Sequence, residues 1–497
     1  MTPKTALAAM AALLLGSVPA VASTAETSNV AAVPDFSTSE AGNPFVDGWY
    51  ADPDVAVYDG KYWVFPTSSR PYDEQTYLDA FSSTDLVNWT KHPNVLTTAN
   101  VSWARRAVWA PAPVQRNGKY YLYFGANDIQ GNSELGGIGV AVADRPEGPY
   151  RDAIGKPLIG QFVNGAQPID QDVFVDTDGQ AYMYYGGWGH ANVVKLNADM
   201  TSLGQFADGS TYKEITPANF TEGSQMFKKN GKYYFMWSED GWTGPNYAVS
   251  YAISDSPTGP FTKISRVLSQ DAAVARGSGH NSVLNVPGTD IWYIFYHRRP
   301  LSRSGANDRQ LSYDRMTFNA DGTIAPVTMR VEDDFEDGNA IGWTTYGGSW
   351  SAGTKRYEAG ASFGGKALLD TNFSDLVQQV DVTPRSAGGD AGVVFRATQA
   401  STGTDAYRGY YAGISGTGKV VLGKADGGWT QLASAAVAIR PNVSHRVRVE
   451  AVGSSIKVYV NDALKISVTD TSYASGANGV RVFNTGAGFD GFSVAHR

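Results

Sequence analysis

The chain has 497 residues, of which 42% are hydrophobic and 12% aromatic, enough for two or three well-packed domains. Its 40 Lys and Arg residues against 48 Asp and Glu residues give a formal net charge of −8. An acidic chain without a basic stripe repels phosphate backbones, which excludes nucleic acid as a partner. The chain has no cysteine, so its stability must come from the size of its core rather than from disulfide bonds.

The N-terminus, MTPKTALAAMAALLLGSVPAVASTAE, predicts a secretory signal peptide. One lysine precedes an apolar run at residues 6–15, and the sequence AVA at residues 20–22 is a small-residue cleavage pattern. The run is too short to span a bilayer, as is every later apolar segment. We therefore expect a signal peptide at residues 1–22, a disordered linker at residues 23–40, and a secreted protein without a membrane anchor.

A hairpin motif then recurs along the chain. The string DGKYWVF at residues 59–65 returns as NGKYYLYF at 117–124, DGQAYMYY at 178–185, NGKYYFMW at 230–237 and, more loosely, GTDIWYIFYH at 288–297. Asn-Gly and Asp-Gly between alternating apolar runs predict type I′ hairpin turns, which need positive φ. Five such hairpins in order predict an all-β chain with a five-bladed β-propeller at residues 41–330, rather than a β-sandwich with accidental aromatic hairpins.

The strand that leads into each turn carries a chemically capable residue. Counting back eight or nine residues from the turn glycine gives one residue per blade: Asp52, Trp109, Asp170, Glu222 and His280. The first strand of a propeller blade lies nearest the axis, so equivalent positions form a ring at one mouth of the channel. The sequence thus predicts three carboxylates, an indole and an imidazole that converge in one depression, the usual form of a ligand site.

Two carboxylates that flank a bond are the minimal apparatus for glycoside hydrolysis. One protonates the leaving oxygen, and the other activates water or attacks the carbon. A third carboxylate nearby raises the pKa of the acid through like-charge repulsion. The candidate sugar contacts are Trp49, Trp109, Trp188 and Trp242, together with His297 and Arg298 at the end of the fifth hairpin, for which ion pairing is an equal alternative.

The motifs around these residues resemble those of glycoside hydrolase family 43. The resemblance covers residues 43–329 and is carried by YADPDV at Asp52, WAPAP at Trp109, IDQDVFVDTDG at Asp170, TEGSQMFKKNGKYYF at Glu222 and GSGHNSV at His280. Gln171 and Ser224 stand where members of that family often have proline. The resemblance implies Asp52 as base, Asp170 as pKa modulator and Glu222 as acid, with inversion of configuration through a water molecule activated by the base.

His280 has two interpretations. A lone histidine is often structural, and its ring can equally contact a metal ion or water at the channel centre. Many proteins of the family that this chain resembles hold calcium at the channel centre through such a histidine. We expect that the chemistry requires no cofactor, and a structural Ca²⁺ ion held by His280 and water is implied by the resemblance alone.

The composition changes after residue 330. Glycine, serine, alanine and threonine become frequent, and short alternating runs such as HRVRVEAVGSSIKVYVND predict a β-sandwich at residues 333–497. The strand pattern and the FDGFSV ending resemble concanavalin-like jelly rolls, among them carbohydrate-binding modules. Two roles stay open: sugar binding through Tyr410, Tyr411 or Trp429, or a structural domain that packs on the propeller and shapes its pocket.

The sequence therefore predicts a secreted, monomeric, inverting α-L-arabinofuranosidase that acts on arabinose-containing plant cell-wall polysaccharide. β-Xylosidase, endo-arabinanase and exo-galactanase activities of the same family are the nearest alternatives. The alternative from another class is a non-catalytic sugar-binding propeller. Such a protein would lack at least one of the three carboxylates, and none is missing.

Overall fold

The computed structural model describes residue 1, residues 41–360 and residues 364–497, which are almost entirely β-structure. The predicted signal peptide and linker fall on residues 1–40 and so lie outside the described part, apart from residue 1. The helices of the described chain are two single-turn 3₁₀ segments, Tyr72–Glu74 and Thr98–Asn100. No helix in this described part is long and apolar enough to cross a membrane.

Five small antiparallel sheets follow one another and form the predicted β-propeller. Within each blade the strands pair in chain order, from the innermost strand outward. The blades are β1 (Tyr50–Tyr58), β2 (Lys61–Ser68), β3 (Tyr77–Ser83), β4 (Thr90–Thr97); β5 (Trp109–Arg116), β6 (Lys119–Ala126), β7 (Gly137–Ala143), β8 (Arg151–Asp152); β9 (Asp172–Val175), β10 (Ala181–Tyr185), β11 (Asn192–Leu196), β12 (Tyr212–Glu214); β13 (Glu222–Lys229), β14 (Lys232–Glu239), β15 (Ala248–Ser254), β16 (Lys263–Leu268); and β17 (Arg276–Asn285), β18 (Trp292–Arg299), β19 (Gln310–Met316). The expectation of a five-bladed propeller is confirmed.

The repeated turns account for the hairpins. Asp59, Asn117 and Asn230 have φ values of 50°, 52° and 50°, and the glycine after each also has positive φ. These are the backbone angles of the predicted type I′ turn. The third blade instead has a longer turn, closed by a hydrogen bond of 2.9 Å from Asp176 N to Gln180 O. Its inner strand β9 therefore ends four residues before Gly179, whereas β1, β5 and β13 end two residues before their turn glycines.

The aromatic residues of the repeated motif fill the interior of the ring. One large ring on the second strand of every blade is at most 1% exposed: Tyr62, Tyr123, Tyr184, Trp237 and Tyr296. Complete burial of a side chain of this size stabilises the fold by about 1.5–3 kcal/mol. The repeat is thus a packing repeat, and the same packing fixes the inner strands that carry the candidate site.

The segment before the first strand closes the ring. The Asn43 side chain donates to Tyr313 O at 2.9 Å and accepts from Tyr313 N at 3.1 Å, so it pairs with the outer strand β19 as a neighbouring strand would. Phe45 packs beside it, with ring centroids 5.6 Å from Phe295 and 5.2 Å from Tyr313. The first described residues therefore tie the fifth blade, which has three strands, to the beginning of the chain.

Two larger sheets pack face to face after the propeller and form the predicted concanavalin-like β-sandwich. One sheet has the order β22-β23-β34-β25-β30-β31-β32, with β20 also paired to β34, and the other has the order β21-β24-β33-β26-β27-β28-β29. The strands are β20 (Val331–Asp333), β21 (Trp343–Tyr346), β22 (Trp350–Ser351), β23 (Tyr357–Ala359), β24 (Gly365–Phe373), β25 (Leu376–Pro384), β26 (Asp390–Thr398), β27 (Arg408–Ser415), β28 (Lys419–Asp426), β29 (Trp429–Ala436), β30 (His445–Val452), β31 (Ser455–Val460), β32 (Ala463–Thr469), β33 (Gly476–Phe483) and β34 (Ala487–His496).

The sandwich packs on the fourth and fifth blades. A backbone hydrogen bond of 2.9 Å from Asn372 N to Ala273 O joins the domains, and His496 Nε2 lies 2.9 Å from an Asp271 carboxylate oxygen. A continuous apolar cluster runs from blade residues such as Met316 to sandwich residues such as Phe373. The two domains therefore form one packed body on this side of the ring.

Candidate active site

Each innermost strand has a left-handed residue close to its beginning. The five residues are Asp52, Ala110, Asp170, Gly223 and His280, with φ between 44° and 70°. In four of the five blades the pairing register shifts at this point, which marks a β-bulge. A bulge bends the strand and re-aims a side chain, and each non-glycine residue held at positive φ costs about 1–3 kcal/mol. Strain of this kind in four of the five blades marks this rim of the channel as a built site.

The bulge also shows that the five residues taken from the sequence do not occupy one equivalent position. Asp52, Asp170 and His280 are themselves the left-handed residues, whereas Trp109 and Glu222 each precede one. Counting back from the turn glycine could not detect this difference, because a bulge adds a residue without changing the sequence pattern around it. All five side chains nevertheless line the same pocket.

Asp52 lies in the most positive part of the site. Arg309 Nη1 donates to its Oδ1 at 3.2 Å, and the Nδ1 atoms of His280 and His297 lie 3.3 Å and 3.4 Å from the same oxygen. Burial alone would raise the pKa of Asp52, but the charge of Arg309, with a smaller contribution from His280, holds that pKa well below its usual range. Asp52 is therefore an ionised carboxylate, the state that a general base requires.

Glu222 has the opposite environment. The Tyr247 hydroxyl donates to Glu222 Oε1 at 2.9 Å, and no lysine or arginine of the described chain forms an ion pair with this carboxyl group. Burial raises the pKa of Glu222 to about 7, the charge of Asp52 acts in the same direction, and the Tyr247 hydrogen bond opposes it. Glu222 can therefore hold a proton near neutral pH, the state that a general acid requires.

Asp170 lies between the two. Its Oδ2 accepts a hydrogen bond of 3.2 Å from Gly223 N, the residue next to Glu222, and lies 3.5 Å from His280 Nδ1. Burial raises its pKa well above the usual value, and the charges of Glu222 and Asp52 add to that effect. Asp170 is thus tied to the strand that carries the acid and electrostatically coupled to it, as expected of a residue that modulates a neighbour.

The His280 ring is turned toward carboxylates. Its Nδ1 faces Asp52 and Asp170, which leaves Nε2 as the ring nitrogen able to bind a cation. Within residues 41–360 and 364–497, no group of three or more His, Cys, Asp or Glu side chains is spaced to hold a metal ion. Since calcium takes about six to eight oxygen ligands, the donors here fit only an ion held mostly by water. The calcium ion implied by the family resemblance stays a prediction.

The carboxylates lie at the bottom of a pocket of about 430 Å³, which is within the range for small-molecule sites. Aromatic rings form its walls: Tyr72 meets Trp109 edge to face at 4.9 Å, and the Arg309 guanidinium lies over Trp242 at 4.8 Å. Trp188 is 55% exposed at the rim. The other lining residues are Asp128, Gln130, Gln167, Ile169 and Thr221. Three of the four indoles expected to contact sugar therefore do line the pocket.

Three residues expected to contact substrate do not line this pocket. His297 is fully buried on β18, where its Nδ1 accepts a hydrogen bond of 3.2 Å from Asp52 N and its ring stacks on Tyr247. Trp49 and Arg298 line a separate cavity between the propeller and the sandwich. The expectation that these three residues line the catalytic pocket is corrected, because the residue before β1 and the end of β18 carry no sequence signal for the direction of their side chains.

The three aromatic residues of the sandwich that were candidates for sugar binding differ in exposure. Tyr410 and Tyr411 have no exposed surface, with their hydroxyls on Asp470 and Asp390 at 2.7 Å and 2.6 Å. They belong to the core, and the expectation that they could bind sugar is corrected. Trp429 is 36% exposed and so stays available as a surface contact.

Sequence reasoning missed several functional residues. Arg309 and Tyr247 contact the two carboxylates directly, but they lie just before the third strand of their blades, where no repeated motif marks them. A second layer of acids lies on the inner strands. Asp54 accepts a hydrogen bond of 2.7 Å from Ser282 Oγ, and Asp172 accepts one of 2.7 Å from Met226 N. These bonds join inner strands of neighbouring blades below the pocket.

The arrangement can protonate one side of a bond and activate a water molecule on the other. An ionised carboxylate and a protonated carboxyl group share one pocket, and their environments shift their pKa values in opposite directions. Such a pair is how acid and base roles are assigned in glycoside hydrolysis. Aromatic walls offer flat apolar surfaces for a sugar ring.

Comparisons with known proteins agree with this geometry. Residues 41–324 match the model of Glycosyl hydrolases family 43, and residues 331–489 match that of a 3-keto-alpha-glucoside-1,2-lyase-like domain. The chain is 44% identical over 307 residues to a β-D-galactofuranosidase of Aspergillus niger, which covers 60% of this chain and 87% of that protein. It is 31% identical over 351 residues to a xylosidase/arabinosidase of Humicola insolens, covering 58% of this chain and 99% of the relative.

A solved structure is similar as well. The crystal structure of a thermostable family-43 glycoside hydrolase superposes with a TM-score of 0.50 at 27% sequence identity, covering 59% of this chain and 96% of that one. The matching family model spans more than half of the chain and ends close to the last propeller strand. The chain therefore belongs to glycosyl hydrolase family 43 and is a glycosidase, built as a five-bladed propeller followed by a concanavalin-like sandwich.

Proposed function

We propose that the chain is an inverting α-L-arabinofuranosidase with Asp52 as general base and Glu222 as general acid. One observation supports this assignment above the others. Arg309 keeps the pKa of Asp52 low, while burial raises the pKa of Glu222 to about 7 in the same pocket. At neutral pH the two carboxyl groups then differ in charge, as an acid and base pair must.

The chemistry follows from that difference. Glu222 gives its proton to the glycosidic oxygen as the bond to the anomeric carbon breaks, so the leaving group departs as a neutral alcohol. Asp52 takes a proton from a water molecule, whose oxygen forms the new bond to the anomeric carbon from the opposite face. The sugar is released with inverted configuration, and the proton gained by Asp52 returns to Glu222 through solvent.

Asp170 and His280 act through these two residues. The Asp170 carboxyl group accepts a hydrogen bond from Gly223 N and so fixes the backbone next to Glu222. His280 Nδ1 lies within 3.5 Å of both Asp52 and Asp170 and orients the two carboxylates relative to each other. Both are positioning residues in this proposal.

The sugar follows from the pocket and from the relatives. Relatives similar to the chain include the xylosidase/arabinosidase of Humicola insolens and an arabinoxylan arabinofuranohydrolase of Paenibacillus polymyxa, and those names support arabinofuranose. The 44% identity to a β-D-galactofuranosidase supports a second candidate, β-D-galactofuranose. The two furanoses share their ring configuration and differ by one exocyclic hydroxymethyl group, so one pocket can select between them only by its depth.

The test compares three nitrophenyl glycosides: α-L-arabinofuranoside, β-D-galactofuranoside and β-D-xylopyranoside. We expect the arabinofuranoside to have the highest kcat/KM in the wild type. A higher value for the galactofuranoside would instead establish the second candidate. Nitrophenol leaves without much help, so release of arabinose from arabinoxylan oligosaccharides is measured in parallel, and the anomer formed first is identified by proton NMR.

The matched variant is Glu222→Gln, which keeps the shape and removes the proton. We expect it to lose about 10²–10⁴-fold on the oligosaccharides and less on the nitrophenyl glycoside. If the wild type hydrolyses none of the substrates but still binds the oligosaccharides, the propeller is a non-catalytic sugar-binding module. If Glu222→Gln keeps full activity on oligosaccharides, another group is the acid.

Further proposals concern the rest of the chain. We retain export from the cell, a monomeric state and a water-held calcium ion beside His280 as proposals. For the sandwich we favour docking on the propeller over independent sugar binding through Trp429, because it packs on two blades and forms one wall of a second cavity.

A further inference from the structure

A second cavity lies between the fifth blade and the sandwich. Its volume is about 310 Å³, large enough for a monosaccharide unit. The propeller contributes Trp49, Arg298, Arg303 and Gln310 to its lining, and the sandwich contributes Trp343 and Asp370. Both domains are therefore needed to form it.

The two walls are held together at the cavity edge. Ser302 N donates to Asp370 Oδ2 at 2.8 Å, which ties the loop after β18 to strand β24 of the sandwich. A backbone hydrogen bond of 2.9 Å from Asn372 N to Ala273 O fixes the same strand to the fifth blade. A cavity with fixed walls is preorganised, so a ligand would bind without the entropic cost of ordering the site.

The cavity offers both hydrogen-bond donors and acceptors. Arg298 is 9% exposed, and its one side-chain hydrogen bond within the described chain is a long contact of 3.5 Å to Tyr296 Oη. Gln310 pairs with Arg298 across the β18–β19 ladder and adds an amide beside the guanidinium. Asp370 supplies carboxylate oxygens from the opposite wall. A mixture of this kind suits a neutral polyhydroxylated ligand better than an anion or a cation.

The cavity also has flat apolar surfaces. Trp49 and Trp343 are half-buried in its lining, and the Arg303 guanidinium lies 5.5 Å from the Trp49 ring. A fixed indole is a stacking surface for the apolar face of a sugar ring. Indole, guanidinium and carboxylate in one concave site are the groups that recognise saccharides.

The cavity is a direct neighbour of the active site. Gln310 lines the cavity, while Arg309, the residue before it, lines the catalytic pocket and contacts Asp52. On the other strand, Trp49 lies three residues before Asp52, and Tyr50 N donates to Arg309 O at 2.9 Å. The wall between the two sites is therefore a single pair of hydrogen-bonded backbone segments.

We propose that the cavity is a second saccharide-binding subsite, which holds a neutral pentose or hexose unit of the same polysaccharide whose scissile bond lies in the catalytic pocket. The proposal rests on the glycosidase function proposed above. The sandwich would then act in catalysis as half of a subsite, and the enzyme would favour long substrates over single glycosides.

The test uses Trp49→Ala and Gln310→Ala in the full chain. For each variant, kcat/KM is measured on the nitrophenyl glycoside and on arabinoxylan oligosaccharides. We expect the loss on oligosaccharides to exceed the loss on the nitrophenyl glycoside by about 5–30-fold, as for truncation of an aromatic anchor. Equal losses on both substrates, or no loss on either, would overturn the proposal.

The matched control is Trp292→Ala. Trp292 is also half-buried in the fifth blade and also lies under a cation, Lys229 at 5.0 Å, but it is at the other end of β18. It should change the two kcat/KM values equally. A preferential loss on oligosaccharides for this control would show that the effect comes from stability and not from the cavity.

A binding experiment separates this proposal from the proposed function. Calorimetry on the Glu222→Gln protein measures the Kd for the oligosaccharides with and without Trp49→Ala. We expect the second substitution to weaken binding by about 5–30-fold whether or not the wild type hydrolyses them. An unchanged Kd would show that the cavity binds no part of the saccharide, even if catalysis at Glu222 is confirmed.

Discussion

Arg309 Nη1 donates to Asp52 Oδ1 at 3.2 Å, although the two residues are 257 positions apart in the chain. The contact joins the first and last blades at the rim of the channel. It also fixes the charge of the residue proposed to activate water, because Arg309 supplies the nearest permanent positive charge.

Replacement of Arg309 should therefore change the acid limb of the pH profile. In Arg309→Met the pKa of Asp52 rises, since burial then acts without the compensating charge. The acid limb of kcat/KM should move to higher pH by about 1–3 units, measured on the nitrophenyl glycoside. Arg309→Lys keeps a positive charge and should move the acid limb less. The control is Arg315→Met: the Arg315 guanidinium lies 5.2 Å from the Tyr293 ring, and its loss should leave the acid limb in place. An acid limb unchanged in Arg309→Met would show that Asp52 is not the base.

Removal of the Tyr247 hydroxyl should move the basic limb. Its hydrogen bond of 2.9 Å to Glu222 stabilises the ionised carboxylate and lowers the pKa of Glu222, which burial raises to about 7. Tyr247→Phe therefore raises that pKa further, and the fall of kcat/KM with rising pH should begin up to about one unit higher. Tyr251→Phe is the matched control, because its hydroxyl bonds to Ile324 N, away from the pocket. A basic limb that moves down would contradict the assignment of Glu222.

The substitution Gly279→Ala should disturb Glu222 indirectly, through Tyr247. A Cβ atom there would lie 2.3 Å from Tyr247 Cδ1, so the ring that donates to Glu222 would have to shift. Gly279→Ala should cost about 1–3 kcal/mol of unfolding free energy and lower kcat on oligosaccharides. Gly353→Ala, where the added Cβ atom meets nothing within 4 Å, is the control in denaturant titration and kinetics. Unchanged kcat in Gly279→Ala would mean that the position of Tyr247 is irrelevant to catalysis.

Asp333 should make the stability of the whole chain depend on pH. Burial raises the pKa of this carboxyl group to about 8, although hydrogen bonds from Trp343 Nε1 and Phe335 N oppose the shift. The unfolded chain loses this proton near its usual pKa of about 3.9. The folded chain keeps it to about pH 8, so its contribution is complete at low pH and is lost as pH rises through that range.

Asp333→Asn should remove that dependence. Between about pH 5 and pH 8 the Tm of the wild type should fall more steeply than the Tm of the variant, measured by calorimetry. Asp462→Asn, an exposed turn residue, should behave like the wild type. A parallel decline in Asp333→Asn would show that other buried carboxyl groups carry the effect.

The propeller and the three acidic residues could be predicted from the sequence, because the turns, the aromatic strands and the inner-strand residues recur together. Asp52, Asp170 and Glu222 were found by register against a turn glycine. Arg309 and Tyr247 could not be found in that way, since the loops that carry them differ from blade to blade. Their roles depend on which blades are neighbours in the closed ring.

The misplaced residues have a different cause. His297 is on the second strand and points behind Asp52, a distinction of strand face that the YHRR ending does not specify. Trp49 and Arg298 depend on where the sandwich docks, and no local pattern encodes docking. Trp109 and Glu222 lie one residue before the left-handed position of their strands because those strands contain bulges, which counting along the sequence cannot detect.

The left-handed residue at the start of each blade separates the rim from the scaffold. Each blade presents its functional residue at or just before that position, while the most deeply buried aromatic rings lie on the second strands. A substitution at one rim position therefore leaves the buried rings of the second strands in place, although it changes the rim contacts to neighbouring blades. Selection, or a protein engineer, can exchange one rim side chain at a time and so adjust sugar preference, acidity or reaction type while the ring itself stays folded.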